Sequence, residues 1–227
     1  MVFNSLVTLQ IIAILFIIIA LVYMFRSGST YTHVLMLAFL AAEMVRSAGY
    51  LLELLSKTED EAMHAICVEY LGGGIVAILF MMFVCNYCGA KANILLERFL
   101  LICGCLSVTL VWTNQYHYLY YSEVDFVETG LMPHVVLTHG VGFYFFVVTC
   151  TVIPWAVSEV VVFRSLIKEK NIKIRRKLLF IICGMTVAIT TLILYVLGVF
   201  PEGYDPTPLC LSFLFPILVI FVWNRKD

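Results

Sequence analysis

Four side chains that can carry charge or donate a hydrogen bond lie in a stretch of sequence that is otherwise apolar. Glu43, Arg46, Tyr50 and Glu53 are separated by three, four and three residues, so a helix places all four on one face. A guanidinium group binds carboxylates and other anions through two parallel hydrogen bonds, and glutamates bind cations or amines. The pattern predicts either a buried ion-pair network that fixes helix packing or a ligand site, and it leaves the two open.

Polar residues of the same kind recur near the ends of other apolar segments. Glu69 precedes Gly72-Gly73-Gly74, which indicates close helix approach or a local change in backbone geometry. The predicted ligand-binding residues are Arg46, Tyr50, Glu53, Glu69, Asn114, His117 and His139. The residues predicted to have structural or signalling roles are Glu43, Gly72, Gly73, Glu159, Asp205 and Pro216. Glu159 lies near the C-terminal end of the fifth apolar segment, where it could pair with Arg98 or Arg164.

The elements that carry these residues must be membrane helices. The 227 residues are 63% hydrophobic and 13% charged, with a mean hydropathy of +1.02, whereas soluble domains have about 25% charged residues. A helix needs about 20 mostly apolar residues to cross the hydrocarbon core of a bilayer. We therefore expect an all-α integral membrane protein, a single seven-transmembrane helix bundle over residues 1–227. Its predicted spans are residues 6–25, 31–55, 63–87, 94–112, 136–163, 177–198 and 207–223.

The positions of the basic residues predict how the bundle is oriented. With the N-terminus outside, 12 of the 14 lysines and arginines fall in segments that face the cytoplasm, whereas the outer loops are acidic. Cytoplasmic loops carry this excess of positive charge, so we expect the N-terminus outside and the C-terminus in the cytoplasm. The basic segment 168–177 is interpreted as a topology signal that also attracts anionic membrane lipid, with no nucleic-acid partner.

The polar residues lie mainly in the predicted outer halves of the spans, and the inner halves are mostly Leu, Ile, Val and Phe. This asymmetry predicts a cavity open to the outside, with the tyrosine-rich segment 112–135 as a lid or short amphipathic piece. A carrier needs polar groups along its whole path. The distribution therefore favours a receptor, with a small multi-pass transporter or channel as the alternative. A membrane enzyme with Glu69 and His117 as acid and base is a third hypothesis.

The sequence predicts no catalytic residue, no metal site and no cofactor. The seventh span has no lysine for a retinal Schiff base, and no nucleotide-binding, zinc-protease or nucleophile-elbow motif occurs. A zinc site of Glu69, His117 and His139 lacks a paired-histidine spacing. Cys85 and Cys88 form a single C-x-x-C with no second pair nearby, which is weak support for metal or redox chemistry.

Five groups of residues, placed on or beside successive spans, carry a resemblance to a known family. They are Arg46-x-x-Gly49-Tyr50-x-x-Glu53, Glu69-Tyr70-Leu71-Gly72 with Phe83-x-x-x-Tyr87-x-Gly89, Thr113-Asn114-x-x-His117-x-Leu119, Gly140-x-Gly142-Phe143-Tyr144 and Asp205-x-Thr207-Pro208. In order and placement they resemble the N-terminal seven-transmembrane sensor region of bacterial histidine kinases, which also occurs on diguanylate cyclases. The similarity covers nearly the whole chain.

The resemblance implies a sensing module, without catalysis of its own, in a bacterial cytoplasmic (plasma) membrane. Such a module detects a small extracellular ligand or a membrane state and relays it to a cytoplasmic output domain or partner kinase, and a homodimer is left open. In the family the output domain follows the last helix, whereas this sequence ends at Asp227. We therefore expect either an excised sensor region or a protein that signals through a separate partner. The seventh helix would carry the signal.

Overall fold

Seven apolar helices make up most of the computed structural model, which describes residues 5–26, 28, 30–90, 93–128, 133–200 and 205–223. They are α1 Ser5–Phe25, α2 Tyr31–Leu55, α3 Glu59–Tyr87, α4 Ile94–Trp112, α5 Val141–Lys168, α6 Ile172–Val196 and α7 Thr207–Val222. By length and composition α1 to α6 can each cross a membrane, and α7 is a shorter apolar helix of 16 residues. The prediction of an all-α, multi-span membrane bundle is confirmed.

Glycines bring α2 and α3 together at the centre of the bundle. A Cβ on Gly72 would lie 2.1 Å from the carbonyl oxygen of Ala42, and a Cβ on Gly49 would lie 2.3 Å from the backbone nitrogen of Glu69. Neither distance is possible for a real side chain. Small residues therefore set the α2–α3 spacing, as they do where membrane helices pack without a hydrophobic driving force between them.

The other helices pack around this pair. Helices α1 and α7 contact α2 and each other, α6 lies beside α7, and α4 and α5 contact α3. Aromatic rings from four helices meet in the shared interior: Phe39 lies 5.3 Å from Phe80 and 4.7 Å from Phe215, and Phe80 lies 5.2 Å from Trp155, between ring centroids. These rings form a closely packed apolar layer across the middle of the bundle.

Two helices begin earlier than the hydropathy predicted, because polar caps extend them. The side chain of Thr58 accepts a hydrogen bond from the backbone N–H of Glu61, so α3 begins at Glu59 rather than near residue 63. The side chain of Asn171 likewise accepts from the N–H of Lys173, so α6 begins at Ile172 rather than near residue 177. Hydropathy detects the apolar part of a helix and misses its polar first turn.

A β-hairpin lies between α4 and α5. Strand β1, Tyr121–Val127, pairs antiparallel with strand β2, His134–His139, with Tyr121 opposite His139. The prediction that the fifth span begins at residue 136 is wrong, since residues 134–139 form β2 and α5 begins at Val141. The β-branched residues of this segment suit a strand, and their hydropathy resembles that of a helix start. We call the end of the bundle beside this hairpin the hairpin end.

Candidate functional site

Arg46 and Glu43 form a buried ion pair one helical turn apart on α2. Nη2 of Arg46 donates to Oε1 of Glu43 at 2.8 Å, and Nε donates to Oε2 at 3.0 Å, so the contact is bidentate. Glu43 is 0% exposed and Arg46 is 6% exposed. A two-bond contact between opposite charges satisfies the geometry of both groups, so two of the five N–H donors of Arg46 are already used within α2.

Hydroxyl groups connect this ion pair to α7. Oγ of Ser212 lies 2.5 Å from Oγ of Ser47, 3.2 Å from Oε1 of Glu43 and 2.6 Å from the carbonyl oxygen of Pro208. Nη2 of Arg46 lies 3.5 Å from that same carbonyl oxygen. Both serines are fully buried. The position of α7 against α2 is therefore fixed by a polar cluster rather than by apolar packing alone.

A cavity lies between Arg46 and the hairpin. Its hairpin-side compartment, with a volume of about 60 Å³, brings together three carboxyl groups from three segments of the chain. Glu53 comes from α2, Glu69 from α3, and Asp205 from the residues before α7. Glu53 and Glu69 both line this compartment, from facing helices. Tyr50 and Tyr195 add phenol groups to the same wall.

A second, core-side compartment shares part of its wall with the first and lies toward the middle of the bundle. Its volume is about 100 Å³, and Glu69 and Asp205 border both compartments. Most of its wall is apolar and aromatic, with Phe146, Trp155 and Phe215 among the lining residues. The cavity as a whole therefore has a polar, acid-rich part near the hairpin and an apolar part in the core.

Asp205 holds the start of α7 at the edge of this cavity. Its Oδ1 accepts a hydrogen bond from the backbone N–H of Thr207 at 2.8 Å, which satisfies an otherwise unpaired N–H at the helix start. Burial raises the pKa of the Asp205 carboxyl group, and the nearby Thr207 and the charge of Arg46 oppose that rise. Asp205 was predicted to have a structural role, and the structure also places it in the cavity wall.

A π-helical segment in α5 shapes the apolar compartment. Residues Val147–Val152 form π turns, which close through longer hydrogen-bonded rings than α turns and are frequent at functional sites. Pro154, two residues after Val152, has no N–H to donate to the carbonyl of Cys150, so a regular α-helix is interrupted here. Val147 and Thr151 of this segment both line the core-side compartment.

The hairpin covers the cavity through His139 and Tyr121, which both line the hairpin-side compartment. The His139 ring stacks on Phe143 of α5, with centroids 3.7 Å apart and ring planes 7° apart. Nδ1 of His139 is buried and has no hydrogen-bond partner among the described residues. Burial lowers the pKa of His139. Of the segment 112–135, which was predicted to be a lid or short amphipathic piece, Tyr121 and Val135 thus lie in the cavity wall, and His139 lies just beyond it.

Two of the predicted ligand-binding residues lie elsewhere. The Asn114 side chain accepts from the N–H groups of Tyr120 and Tyr121 at 2.9 and 3.1 Å and donates to the carbonyl of Tyr121 at 3.0 Å. His117 contacts Oγ1 of Thr113 at 3.0 Å and accepts from the N–H of Leu119 at 3.0 Å. These bonds build the turn between α4 and the hairpin, and neither residue lines the cavity.

The remaining predicted residues occupy distinct places. Glu159 makes no ion pair within 4 Å with Arg98 or Arg164 among the described residues, contrary to the pairing considered from the sequence. Pro216 is buried inside α7. Gly73 lies in the core-side wall, where an added Cβ would meet only side-chain carbons of Arg46, at 3.5 and 3.8 Å.

Several residues of the site were not predicted from the sequence. Ser47 and Ser212 form the contact between α2 and α7, and Gln10 of α1 joins them by donating to the carbonyl of Ser47 at 3.1 Å. Trp155 and Tyr195 line the cavity from α5 and α6. A polar side chain inside an apolar span is the signal that could have found Gln10 and Ser212.

The described residues contain no group of three or more His, Cys, Asp or Glu side chains placed to hold a metal ion. Glu53, Glu69 and Asp205 share a cavity but do not converge on one point. Their arrangement suits hydrogen bonds to separate parts of an occupant, or to different donors of one head group, rather than coordination of a single cation.

Residues 8–226 match the family described as the N-terminal 7TM region of histidine kinase. The chain belongs to this family. No curated protein and no solved structure matches it. Membership makes the chain a multi-pass membrane sensing module, from a family that is a sensor region and not a catalytic domain.

Most of the motifs that suggested this family contribute residues to the wall of the cavity. Arg46, Glu53, Glu69, Phe143 and Asp205 come from four of the five groups, and all five border the cavity. The remaining group, which holds Asn114 and His117, builds the turn that leads into the hairpin.

Proposed function

We propose that this sensor region detects a small ligand that enters its cavity from outside a bacterial cytoplasmic membrane and relays binding through α7 to a cytoplasmic output domain or partner kinase. The observation that carries the proposal is the position of Arg46. It lines the core-side compartment and also contacts the Pro208 carbonyl of α7. An occupant that changes the surroundings of Arg46 therefore acts on the helix nearest the C-terminus.

A change in the placement of α7 would transmit the signal. An occupant close to Glu69 and Asp205 changes the electrostatic surroundings of Arg46, and so favours one of two arrangements of the polar cluster of Glu43, Arg46, Ser47 and Ser212. Pro216 has no N–H, so the carbonyl of Ser212 lacks its helical partner and α7 can bend there. The movement would reach whatever follows the last helix.

A small transporter or channel that uses the same cavity is the alternative. A through-path would have to continue beyond the core-side compartment, where the Phe39, Phe80, Phe215 and Trp155 rings pack against one another. Ions and polar solutes do not cross such a layer without polar groups to replace their hydration. The aromatic layer favours a closed-ended receptor cavity.

A thermal-shift screen of small metabolites on the purified chain tests the proposal. A ligand of the cavity raises the melting temperature of the wild type, and this rise disappears in the double variant Arg46→Ala, Glu69→Gln. Asp125→Asn, which removes an exposed carboxylate on β1, is the matched control and keeps the full rise. Stabilisation that survives the double variant would show that the ligand binds elsewhere.

Uptake by liposomes separates receptor from transporter. A receptor gives no time-dependent accumulation of the same ligand in liposomes that contain the chain. Uptake that Arg46→Ala abolishes would overturn the sensing proposal in favour of transport.

A further inference from the structure

The electrostatics of the cavity wall limit what it can bind. The charges of Glu43, Glu69 and Asp205 act on one guanidinium group, that of Arg46, and Glu43 takes two hydrogen bonds from it. Glu53 lines the same cavity. Arg46 also contacts a carbonyl oxygen, so three of its five N–H donors are engaged, and its positive charge is offset by the paired Glu43. Three carboxyl groups remain in the cavity without a bidentate cation partner among the described residues.

The polar atoms of the same wall need hydrogen-bond donors from an occupant. Ionised carboxylates only accept hydrogen bonds. Thr207, which is 7% exposed and lines the core-side compartment, has a buried Oγ1 with no partner in hydrogen-bonding geometry, although the Asp205 carboxyl group is nearby. Nδ1 of His139 is a further buried atom without a partner, and it can accept in the Nε2–H tautomer. A group with several N–H donors and positive charge meets these acceptors.

The core-side compartment limits the size and polarity of the rest of the ligand. Away from Glu69 and Asp205 at its edge, the part of its wall formed by Phe146, Trp155 and Phe215 offers no strong acceptor. Aromatic faces attract a nearby cation while packing against apolar groups. The two compartments, about 100 and 60 Å³, are together comparable to a cavity of roughly 150 Å³ that holds a benzene ring. One ring or a short alkyl chain fills this space.

We propose that the cavity binds a small amphipathic amine, with its ammonium group among Glu53, Glu69 and Asp205 and a single aryl or short alkyl group in the core-side compartment. This inference rests on the proposed sensing function and names the ligand class for the same site. The ammonium group supplies three donors to the acceptors of the hairpin-side compartment. The apolar group displaces solvent from the compartment lined by Trp155.

Isothermal titration of the purified chain with three probes of one shape tests the ligand class. The probes are 2-phenylethylamine, which is cationic, 2-phenylethanol, which is neutral, and phenylacetate, which is anionic. We expect the amine to bind about tenfold or more tightly than the alcohol, and phenylacetate not to bind. Equal or tighter binding of phenylacetate or 2-phenylethanol would overturn the proposal, as would absence of amine binding up to about 10 mM.

Variants locate the two ends of the amine. Glu69→Gln and Asp205→Asn should each weaken 2-phenylethylamine about tenfold or more, whereas the surface control Asp125→Asn leaves its affinity unchanged. Gly73→Ala adds a methyl group to the core-side wall and should weaken 2-phenylethylamine more than methylamine. Melting curves without ligand confirm that each variant is folded. Amine binding unaffected by both carboxyl variants would refute this placement.

The outcomes distinguish this inference from the proposed function. If phenylacetate binds and Glu69→Gln with Arg46→Ala abolishes its binding, the ligand class is wrong and the sensing cavity stands. If the amine binds but is also accumulated by liposomes through an Arg46-dependent route, the ligand class stands and the sensing function fails.

Discussion

Removing one member of the Arg46–Glu43 pair leaves the other charge buried without its partner. Because both side chains are almost completely removed from solvent, the remaining charge cannot recover its hydration. We expect Glu43→Gln to destabilise the fold by about 3–5 kcal/mol, and the further change Arg46→Met to restore most of that loss. Denaturation of the purified variants in detergent measures both effects.

The double variant tests the physical account of that pair. If Glu43→Gln with Arg46→Met is as unstable as the single change, the loss comes from the hydroxyl contacts of Ser47 and Ser212 rather than from an unpaired charge. The single change Asp125→Asn serves as the reference for removing a carboxylate that is exposed.

His139 should make stability depend on pH in a defined direction. Burial lowers its pKa in the folded state, so the unfolded chain binds the proton more tightly. The contribution is complete above the ordinary histidine pKa of about 6.5 and is lost as the pH falls below it. His139→Phe keeps a ring on Phe143 and removes the titration. Its melting temperature, relative to wild type, should rise as the pH falls from about 7.5 to 5.

The same pH series on His64→Asn is the control for the His139→Phe variant. His64 is exposed, and its Nδ1 contacts the carbonyl of Asp60 on its own helix. A difference between His139→Phe and wild type that stays constant across the series would show that His139 does not take up a proton on unfolding in this range.

At the scale of the helices, the sequence predicted the apolar spans well and their ends poorly. Long apolar runs are sufficient to detect helices such as α1 and α4, because hydrocarbon thickness sets a minimum length. The start of α5 was misplaced because the β-branched residues of β2 are as apolar as a helix. The π segment Val147–Val152 was also missed, since hydropathy does not depend on the hydrogen-bonding pattern of the backbone.

The site was predictable where charge stood out against an apolar background. Arg46, Glu53 and Glu69 could be singled out because ionisable groups in a span are costly and must face the interior. Asn114 and His117 looked equally suitable from their position near a helix end, yet their side chains close a turn. The apolar wall at Trp155 could not be predicted, because aromatic residues in a span give no sign of whether they face lipid, core or cavity.

Two adjacent glycines on α3 should respond oppositely to the same small change. A Cβ at Gly72 would meet the carbonyl oxygen of Ala42 at 2.1 Å, so Gly72→Ala must push α2 and α3 apart. A Cβ at Gly73 meets only flexible carbons of Arg46 at ordinary contact distance. We expect Gly72→Ala to lower the melting temperature strongly and Gly73→Ala to leave it close to that of wild type.

The pair of glycine variants provides its own control, because both change one glycine in the same turn of one helix and carry the same helix-propensity gain. Equal melting temperatures for the two variants would show that the α2–α3 spacing is not set by Gly72.

At the scale of the whole molecule, the basic residues predict that the hairpin end faces away from the cytoplasm. The α5–α6 connection carries Lys168, Lys170 and Lys173 at the opposite end of the bundle, and acidic residues of α3 and β1 lie near the hairpin. Alkaline phosphatase inserted between β1 and β2 should therefore be active in a bacterial host. A green fluorescent protein fused after Asp227 should fluoresce.

Exchanging the two reporters is the control for topology. Alkaline phosphatase behind Asp227 should be inactive, and activity there would place the C-terminus outside and reverse the side from which a ligand reaches the cavity.

The length of α3 has an electrical consequence. Its 29 residues extend over about 44 Å, longer than the roughly 30 Å of hydrocarbon, so in a bilayer centred on α3 Glu69, ten residues from the start, would lie about a quarter of the way into the insulating layer. A monovalent cation that reaches Glu69 from outside has crossed that fraction of the transmembrane voltage. At 100 mV, negative inside, this adds about 0.6 kcal/mol, or roughly threefold in affinity. With the hairpin end outward and the proposed amine as ligand, an energised cell would therefore sense that ligand at lower concentrations than a depolarised one.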